Sequence, residues 1–219
     1  MSLKLKSILT VLVVLFIDQV LKIWVKTNMF LYQDINIFDN WFIIKFIENN
    51  GMAFGIDLPG DYGKLMLTTF RIIAAIGIIY YLGVLIKQKV HSGLIITISL
   101  VLAGAIGNIL DSAFYGIMFS ESSPFAKAVL FPSDGGYSSF LHGKVVDMFY
   151  FPVIQGTWPE WIPFKGGGTF EFFRPVFNIA DASITVGVVA IMVFQKRFFA
   201  SLEEKKEENV EIKEDTVKD

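Results

Sequence analysis

Two aspartates stand among apolar residues, where a carboxylate is costly, and they are the first candidates for chemistry in this sequence. Asp147 lies in the segment GKVVDMFYF and Asp181 in the segment FNIADASITVGV. If the two carboxyl groups meet in a low-dielectric site, they cannot both ionise easily, so the pair retains a proton. One carboxylate can then activate water while its protonated partner polarises a peptide carbonyl. The alternative is that the two acids are unrelated residues at a membrane surface.

Other polar residues are candidates to support such a site. Asn178 stands three residues before Asp181, which predicts that both lie on one helical face, with the amide able to orient a carboxyl group. Asp18 and Lys22 are four residues apart inside an apolar run. This spacing predicts an ion pair on one face of a helix.

A further polar pair closes another apolar run, in the segment AGAIGNILDS. Asn108 and Asp111 are three residues apart, so they share a helical face at the boundary of the membrane. The residues leave two interpretations open. In one, the asparagine bonds to the backbone and the aspartate lies in water; in the other, both border a polar site.

The segment WFIIKFIENNGMAFGI predicts a β-strand followed by a turn. Its first part is rich in β-branched and aromatic residues, and the Asn-Gly pair is typical of a tight turn, with Gly51 supplying a positive φ. We therefore expect a small sheet lying on the membrane surface, with a plain hairpin as the alternative.

Other chemistries have less support in the sequence. The chain has no cysteine, which excludes disulfides, thiolate catalysis and cysteine-bound metals. His142 is close in sequence to Ser138, Ser139 and Asp147, but the G-x-S-x-G segment of many serine hydrolases is absent. KGGGTF lacks the phosphate-binding pattern, and no helical histidine spacing predicts a metal. A net charge of −2 argues against a nucleic-acid partner.

The composition predicts the elements that position these residues. Of the 219 residues, 53% are hydrophobic and only 18% are charged, which is typical of a membrane protein. Four apolar runs are long enough to cross a bilayer as helices, and they cover residues 8–25, 65–86, 93–110 and 177–194. The sequence predicts an all-α membrane protein with four transmembrane helices, a small extracytoplasmic β-sheet and an extracytoplasmic insertion.

Lysine and arginine residues predict how the helices are oriented. They precede the first span, occupy the loop between the second and third spans, and follow the fourth, which places both termini in the cytoplasm. The long connections 26–64 and 111–175 then face outward. We expect residues 1–199 to form a single membrane domain and the charged tail 200–219 to be disordered.

Five segments in this order resemble the bacterial lipoprotein signal peptidases (signal peptidase II). They are DQVLK in the first span, NNGMAFG in the first outer loop, GAIGNILD at the end of the third span, GKVVDMF and FNIADASI. The resemblance covers residues 17–188, and five ordered motifs on a four-span scaffold are far more specific than any one alone.

The resemblance implies an aspartyl endopeptidase of the bacterial cytoplasmic (inner) membrane, which cleaves prolipoproteins just before a cysteine that carries a diacylglyceryl group. It implies that Asp147 and Asp181 are the catalytic pair, at helix ends near the outer leaflet, with no cofactor. The residues that it implies for substrate binding and support are Asn49, Gly51, Asn108, Asp111, Asn178, Asp18 and Lys22. The expected partners are lipid-modified prolipoproteins, membrane lipids and the inhibitor globomycin, and we expect a monomer.

The sequence departs from the family pattern in two ways. Ser112 stands where many members have an arginine, so a guanidinium that could contact lipid or substrate is missing. The segment 120–142 resembles an insertion, and the loop 152–175 is long for the family. Each is expected to form either a lid over the substrate or an interfacial cap.

Two other classes of protein stay open on the residues alone. A transporter would explain the charged residues Asp18, Lys22 and Arg71 inside spans. A transporter is nevertheless expected to carry polar residues across the whole membrane, whereas these gather at one side. A membrane scaffold with surface acids would need no site at all.

Overall fold

The computed structural model describes residues 1–38, 41–50, 61–152, 154–172 and 175–218. In chain order its helices are α1 (Leu3–Asn28), α2 (Asp61–Lys87), α3 (Ser92–Leu110), the short α4 (Gly116–Met118) and α5 (Ile179–Lys218). The segments long and apolar enough to cross a membrane are Leu3–Asn28, Gly63–Lys87, Ser92–Met118 and Ile179–Ala200. The prediction of a four-span helical membrane protein is confirmed.

The third span runs further than the sequence predicts. After α3, a π-helical turn at Asp111–Tyr115 leads directly into α4, so the predicted outer loop begins only after residue 118. No proline interrupts this run, and the buried Ser112 hydroxyl donates a hydrogen bond to the Asn108 carbonyl at 3.0 Å. A hydroxyl that bonds to the carbonyl four residues earlier is compatible with a continuing helix.

The fourth span differs from the prediction at both ends. Helix α5 begins at Ile179 and not at residue 177, because Val176–Phe177 pair with a neighbouring strand. Where the sequence predicts a disordered tail, α5 continues as a helix to Lys218. The tail is rich in glutamate and lysine, which favour helix, and it contains neither glycine nor proline after residue 200.

Within the described ranges, six strands accompany the helices. They are β1 (Asp34–Phe38), β2 (Phe42–Asn49), β3 (Val145–Tyr150), β4 (Ile154–Thr157), β5 (Thr169–Phe172) and β6 (Val176–Phe177). An antiparallel sheet has the order β1-β2-β3-β6, and β2 confirms the predicted strand, whose β-branched and aromatic residues suit a half-buried position. The turn predicted at Gly51 lies outside the described residues.

The long loop 152–175 contains a hairpin made of β4 and β5. The Trp158 amide donates to the Gly168 carbonyl at 2.8 Å and closes the hairpin end, while the rings of Trp158 and Phe170 pack with centroids 4.8 Å apart. Gly167 has a φ of 75°, which glycine adopts without steric cost. The KGGGTF segment therefore serves as a turn.

The chain divides into two compact units, each with its own core. One consists of Met1–Ile17, Phe70–Gly107 and Ile179–Asp219, and the other of Asp18–Thr69 and Asn108–Asn178. The buried apolar side chains of the first unit are Leu82, Leu85, Val90, Leu94, Ile95, Ile98 and Phe198. Those of the second are Val25, Met29, Phe46, Tyr115, Phe119, Ala128, Val146 and Met148. The four-stranded sheet belongs to the second unit.

Candidate active site

Asp147 lies on β3, with β2 on one side and β6 on the other. It is opposite Ile47 in the antiparallel ladder and only 3% exposed. The expectation of a helix end is wrong for this residue, because its neighbours are β-branched and aromatic and their backbone pairs in the sheet. A strand bonded on both sides holds the acid on a rigid element.

Two side-chain amides hold the Asp147 carboxylate, one on each oxygen. Asn49, the last residue of β2, donates from Nδ2 to Oδ2 at 3.1 Å, and Asn178 donates from Nδ2 to Oδ1 at 2.7 Å. Asn49 approaches diagonally, because Ile47 is the residue directly opposite Asp147. With a donor on each oxygen, the orientation of the carboxyl group is set before any substrate binds.

Asn178 stands at the junction between β6 and α5 and not on the helix. It is fully buried and immediately precedes the first residue of α5, so the prediction that it shares a helical face with Asp181 is wrong. Besides its bond to Asp147, its Nδ2 lies 3.3 Å from the Val146 carbonyl oxygen and 3.3 Å from Asn108 Oδ1. The amide therefore connects the strand with the end of the third span.

The Lys22 ammonium is the centre of a second polar cluster, which lies in the same compact unit as Asp147. It lies 2.8 Å from Asp18 Oδ2, 2.7 Å from Asp111 Oδ2 and 3.1 Å from Asn108 Oδ1, and all four residues are buried. An ammonium has three hydrogen-bond donors, and these three acceptors match them. The predicted ion pair between Asp18 and Lys22 is confirmed. Of the two interpretations of Asn108 and Asp111, the structure supports the polar site.

Sequence reasoning missed two members of this cluster, Gln19 and Tyr115. Gln19 Nε2 donates to Asp111 Oδ1 at 2.9 Å, and the Tyr115 hydroxyl donates to Gln19 Oε1 at 3.1 Å. Gln19 is part of the DQVLK motif, so its position between Asp18 and Lys22 could have identified it as a candidate member of the cluster. Tyr115 is 96 residues from Gln19 in the chain, and no local pattern connects them.

Two routes lead from the Lys22 cluster to Asp147. Asn108 Oδ1 accepts from Lys22 at 3.1 Å and lies 3.3 Å from Asn178 Nδ2, whose shorter bond reaches Asp147. In the second route, Asp111 Oδ2 accepts from the backbone amide of the residue before Asp147 at 3.4 Å. The cluster therefore positions both the side chain and the strand of Asp147.

A second buried ion pair, which the sequence reasoning also missed, fixes the end of β2. The Lys26 ammonium bonds to the Glu48 carboxylate, and the Ser122 hydroxyl lies 2.9 Å from Lys26 Nζ and 2.8 Å from Glu48 Oε1. Glu48 immediately precedes Asn49, so the pair holds the residue that contacts Asp147. Lys26 follows Lys22 by four residues, as Lys22 follows Asp18. This repeated spacing could have predicted that Lys26 lies on the same face of α1.

Asp181 belongs to the other compact unit, in the first turn of α5. It is half-buried, and its carbonyl accepts a hydrogen bond from the Thr185 hydroxyl at 2.9 Å. Its neighbour Ala180 is fully buried, and a side chain added at Gly104 of α3 would meet the Ala180 carbonyl at 2.2 Å. The start of α5 is thus packed closely against α3.

Three further candidates from the sequence are Gly51, Ser112 and His142. Gly51 lies outside the described residues. Ser112 is buried, and its hydroxyl bonds to the Asn108 carbonyl. His142 Nδ1 lies 3.0 Å from Ser139 Oγ at an exposed position. Over the described ranges, no group of three histidine, cysteine, aspartate or glutamate side chains could hold a metal ion.

Known proteins resemble this chain over most of its length. The family model described as Signal peptidase (SPase) II matches residues 10–197. A lipoprotein signal peptidase of Porphyromonas gingivalis is 50% identical over 188 residues, which are 85% of this chain and 81% of that protein. One from Amoebophilus asiaticus is 40% identical over 85% of this chain and 75% of its own length.

Solved structures resemble it as well. A bacterial membrane enzyme solved by the in meso method at 2.3 Å resolution superposes with a TM-score of 0.57 and 26% identity, covering 87% of each chain. A second, solved at 1.9 Å, has a TM-score of 0.53 and 27% identity, covering 85% of this chain and 90% of the other.

Proposed function

The chain belongs to the signal peptidase II family, and on that premise we propose that it cleaves diacylglyceryl-modified prolipoproteins with Asp147 and Asp181 as its catalytic pair. Membership makes it a multi-pass membrane protease of the lipoprotein signal peptidase kind. The family therefore excludes the transporter and scaffold alternatives. Beyond family membership, we propose which bond is cleaved and which residues cleave it.

The observation that carries the proposal is the environment of Asp147. Its carboxylate is buried, yet an amide donates to each of its two oxygens, and donors on both sides suit a carboxylate, which only accepts. We therefore assign Asp147 as the base. Asn178 supports the choice of Asp181 as its partner, because it is bonded to Asp147 and precedes Asp181 by three residues in the chain.

The proposed reaction is general acid–base hydrolysis. Asp147 takes a proton from water, whose oxygen attacks the carbonyl carbon before the lipidated cysteine, while protonated Asp181 donates to the carbonyl oxygen. The tetrahedral intermediate then collapses with loss of the cysteine amine, which receives a proton from the pair. The products are the free signal peptide and a lipoprotein that begins with its lipidated cysteine.

The substrate's lipid explains the proposed location of the site. A diacylglyceryl chain keeps the scissile bond at the surface of a leaflet, so a protease for this bond needs its acids where peptide, lipid and water meet. The distribution of lysine and arginine supports cytoplasmic termini and therefore a site at the outer leaflet. Globomycin is expected to compete for this site, and the enzyme is expected to act as a monomer.

The test is a processing assay with purified protein and a diacylglyceryl-modified prolipoprotein, read as a gel shift with and without globomycin. Asp147→Asn and Asp181→Asn are each expected to abolish cleavage. Asp34→Asn is the matched control, because Asp34 lies on the same sheet but is exposed and paired only with Lys45 at 3.3 Å among the contacts described. Normal cleavage by either of the first two variants would refute the catalytic pair, and cleavage of unlipidated substrate would refute the proposed specificity.

A further inference from the structure

The first half of the insertion, residues 120–131, is bound to the C-terminal end of α1. The Ala128 amide donates to the Lys26 carbonyl at 3.3 Å, and the Leu31 amide donates to the Ser123 carbonyl at 3.1 Å. Helix α1 is one of the candidate membrane spans. These bonds therefore hold the segment at the level where the chain leaves the membrane.

The second half of the insertion is also fixed. The Tyr137 amide donates to the Phe119 carbonyl at 3.0 Å, and the Gly143 amide donates to the Ser112 carbonyl at 2.8 Å. Burial raises the pKa of the Tyr137 phenol above its ordinary range, so the hydroxyl stays neutral while its oxygen accepts from the Lys144 amide at 2.6 Å. Contacts at both ends favour a fixed cap over a moving lid.

Large apolar side chains project from this fixed segment. Phe125 is 91% exposed, Phe131 is 70% exposed and Val129 is 57% exposed. Exposed apolar area of this size is unfavourable in water and marks a surface that is covered by something else. Trp24 near the adjoining end of α1 is exposed as well, and so is Phe30, two residues beyond that end, as expected for side chains that face lipid.

The two exposed surfaces are continuous. The Lys127 ammonium lies 5.2 Å from the ring centroid of Phe30, so the segment touches the stretch of chain that directly follows α1. Lysine and aromatic residues together are typical of the membrane–water interface, where rings enter the leaflet and ammonium groups reach the headgroups.

The backbone of Phe131 gives independent support. Its φ is 52°, which lies in the left-handed region where a bulky residue is strained. Its amide donates to the Met118 carbonyl at 2.7 Å, so the conformation is held by the fold. If this position served only as a turn, glycine would suit it better; a strained and exposed phenylalanine points to a use for the ring.

We propose that residues 120–131 form an interfacial anchor that inserts Phe125, Val129 and Phe131 into the phospholipid leaflet beside the end of α1. The partner of this surface is the lipid bilayer itself, contacted through apolar rings and through Lys127 at the anionic headgroups. The anchor fixes the depth at which the adjoining sheet meets the membrane. This inference goes beyond the proposed peptidase function and does not depend on it.

The absence of cysteine from the chain allows a direct test with single-cysteine variants. Phe125→Cys and Phe131→Cys are labelled with the fluorophore NBD, and Asp134→Cys, exposed on the same insertion, is the matched control. The full chain is placed in nanodiscs of phosphatidylcholine and phosphatidylglycerol. We expect lipids with a nitroxide near the headgroup to quench the labels at 125 and 131, and aqueous iodide to quench them several-fold less than the label at 134.

Two outcomes would overturn the anchor. Labels at 125 and 131 as accessible to iodide as the control would mean that the segment lies in water. Labels protected from both iodide and the lipid nitroxide would mean that a second copy of the chain covers the surface. Circular dichroism and gel filtration of each variant confirm the fold without reference to peptidase activity, so failure of the anchor and failure of the proposed function are distinguishable.

Discussion

The side-chain amide of Asn178 lies 2.7 Å from Asp147 Oδ1 and bonds to it from the junction between β6 and α5. The same amide group lies 3.3 Å from Asn108 Oδ1, which in turn accepts from Lys22. Asn178 therefore connects Asp147 on β3 with the cluster around Lys22. Its contacts identify it as a positioning residue for Asp147.

Replacing Asn178 by alanine removes the shorter of the two amide bonds to Asp147. We expect kcat for prolipoprotein cleavage to fall by about 10- to 100-fold with little change in KM. The reason is that the Asp147 carboxylate would lose its fixed orientation, while the groups that bind the substrate would stay the same. Steady-state kinetics measures kcat and KM separately. Asn36→Ala, an exposed asparagine on β1 of the same sheet, is the control and is expected to retain full activity. A rise in KM alone would assign Asn178 to substrate binding instead.

Replacing Lys22 by methionine leaves the carboxylates of Asp18 and Asp111 buried without their shared ammonium. Breaking a buried ion pair in this way is expected to cost about 3–5 kcal/mol in the free energy of unfolding. Adding Asp111→Asn to the same chain is expected to restore part of that loss. Thermal unfolding in detergent measures both. Lys45→Met, which removes an exposed ion pair, is the control, with an expected cost of about 0–1 kcal/mol.

Replacing Glu48 by glutamine removes the charge that faces the buried Lys26 ammonium. We expect a loss of about 3 kcal/mol in stability, together with lower kcat, because Asn49 is the next residue and contacts Asp147. Ser122→Ala is expected to cost only about 1 kcal/mol, the net value of a hydrogen bond. Unfolding midpoints and kinetics on the same samples check both effects. Stability that equals that of an exposed control, Glu121→Gln, would contradict the role of the pair.

Replacing Gly104 by alanine tests the close approach of α3 and α5. A Cβ at this position would lie 2.2 Å from the Ala180 carbonyl oxygen, so the helices must separate, at a cost of about 1–3 kcal/mol. At Gly77 of α2, the same change meets nothing within 4 Å and is expected to be neutral or to stabilise the helix by about 0.5–1 kcal/mol. The difference between the two unfolding midpoints is the measurement, and equal midpoints would contradict the close packing.

The parts of the fold that sequence reasoning predicts are those with local periodicity. The four spans follow from long apolar runs, β2 from its β-branched residues, and the pair of Asp18 and Lys22 from a spacing of four. The family resemblance adds Asn49 and Asn178, which the spacing of residues alone does not connect with Asp147.

The parts that escape sequence reasoning depend on contacts distant in the chain. The strand position of Asp147 needs partners from β2 and β6, and the bond of Lys22 to Asn108 joins residues 86 positions apart. Neither leaves a periodic signal, because tertiary pairing and not local propensity decides them. The start of α5 was missed for the same reason, since Val176–Phe177 are apolar enough for a span but pair with β3.

The π-helical turn at Asp111–Tyr115 contains one residue more than an α-helical path would. The turn carries both Asp111 and Tyr115, and each of them bonds to Gln19. Deleting a single residue between them would leave an unbroken helix but would change the spacing of these two side chains. The length of this turn therefore matters to the cluster, as the identity of Asp111 does. A variant one residue shorter would have nearly the same hydropathy profile and yet is expected to lose the hydrogen bond between Tyr115 and Gln19.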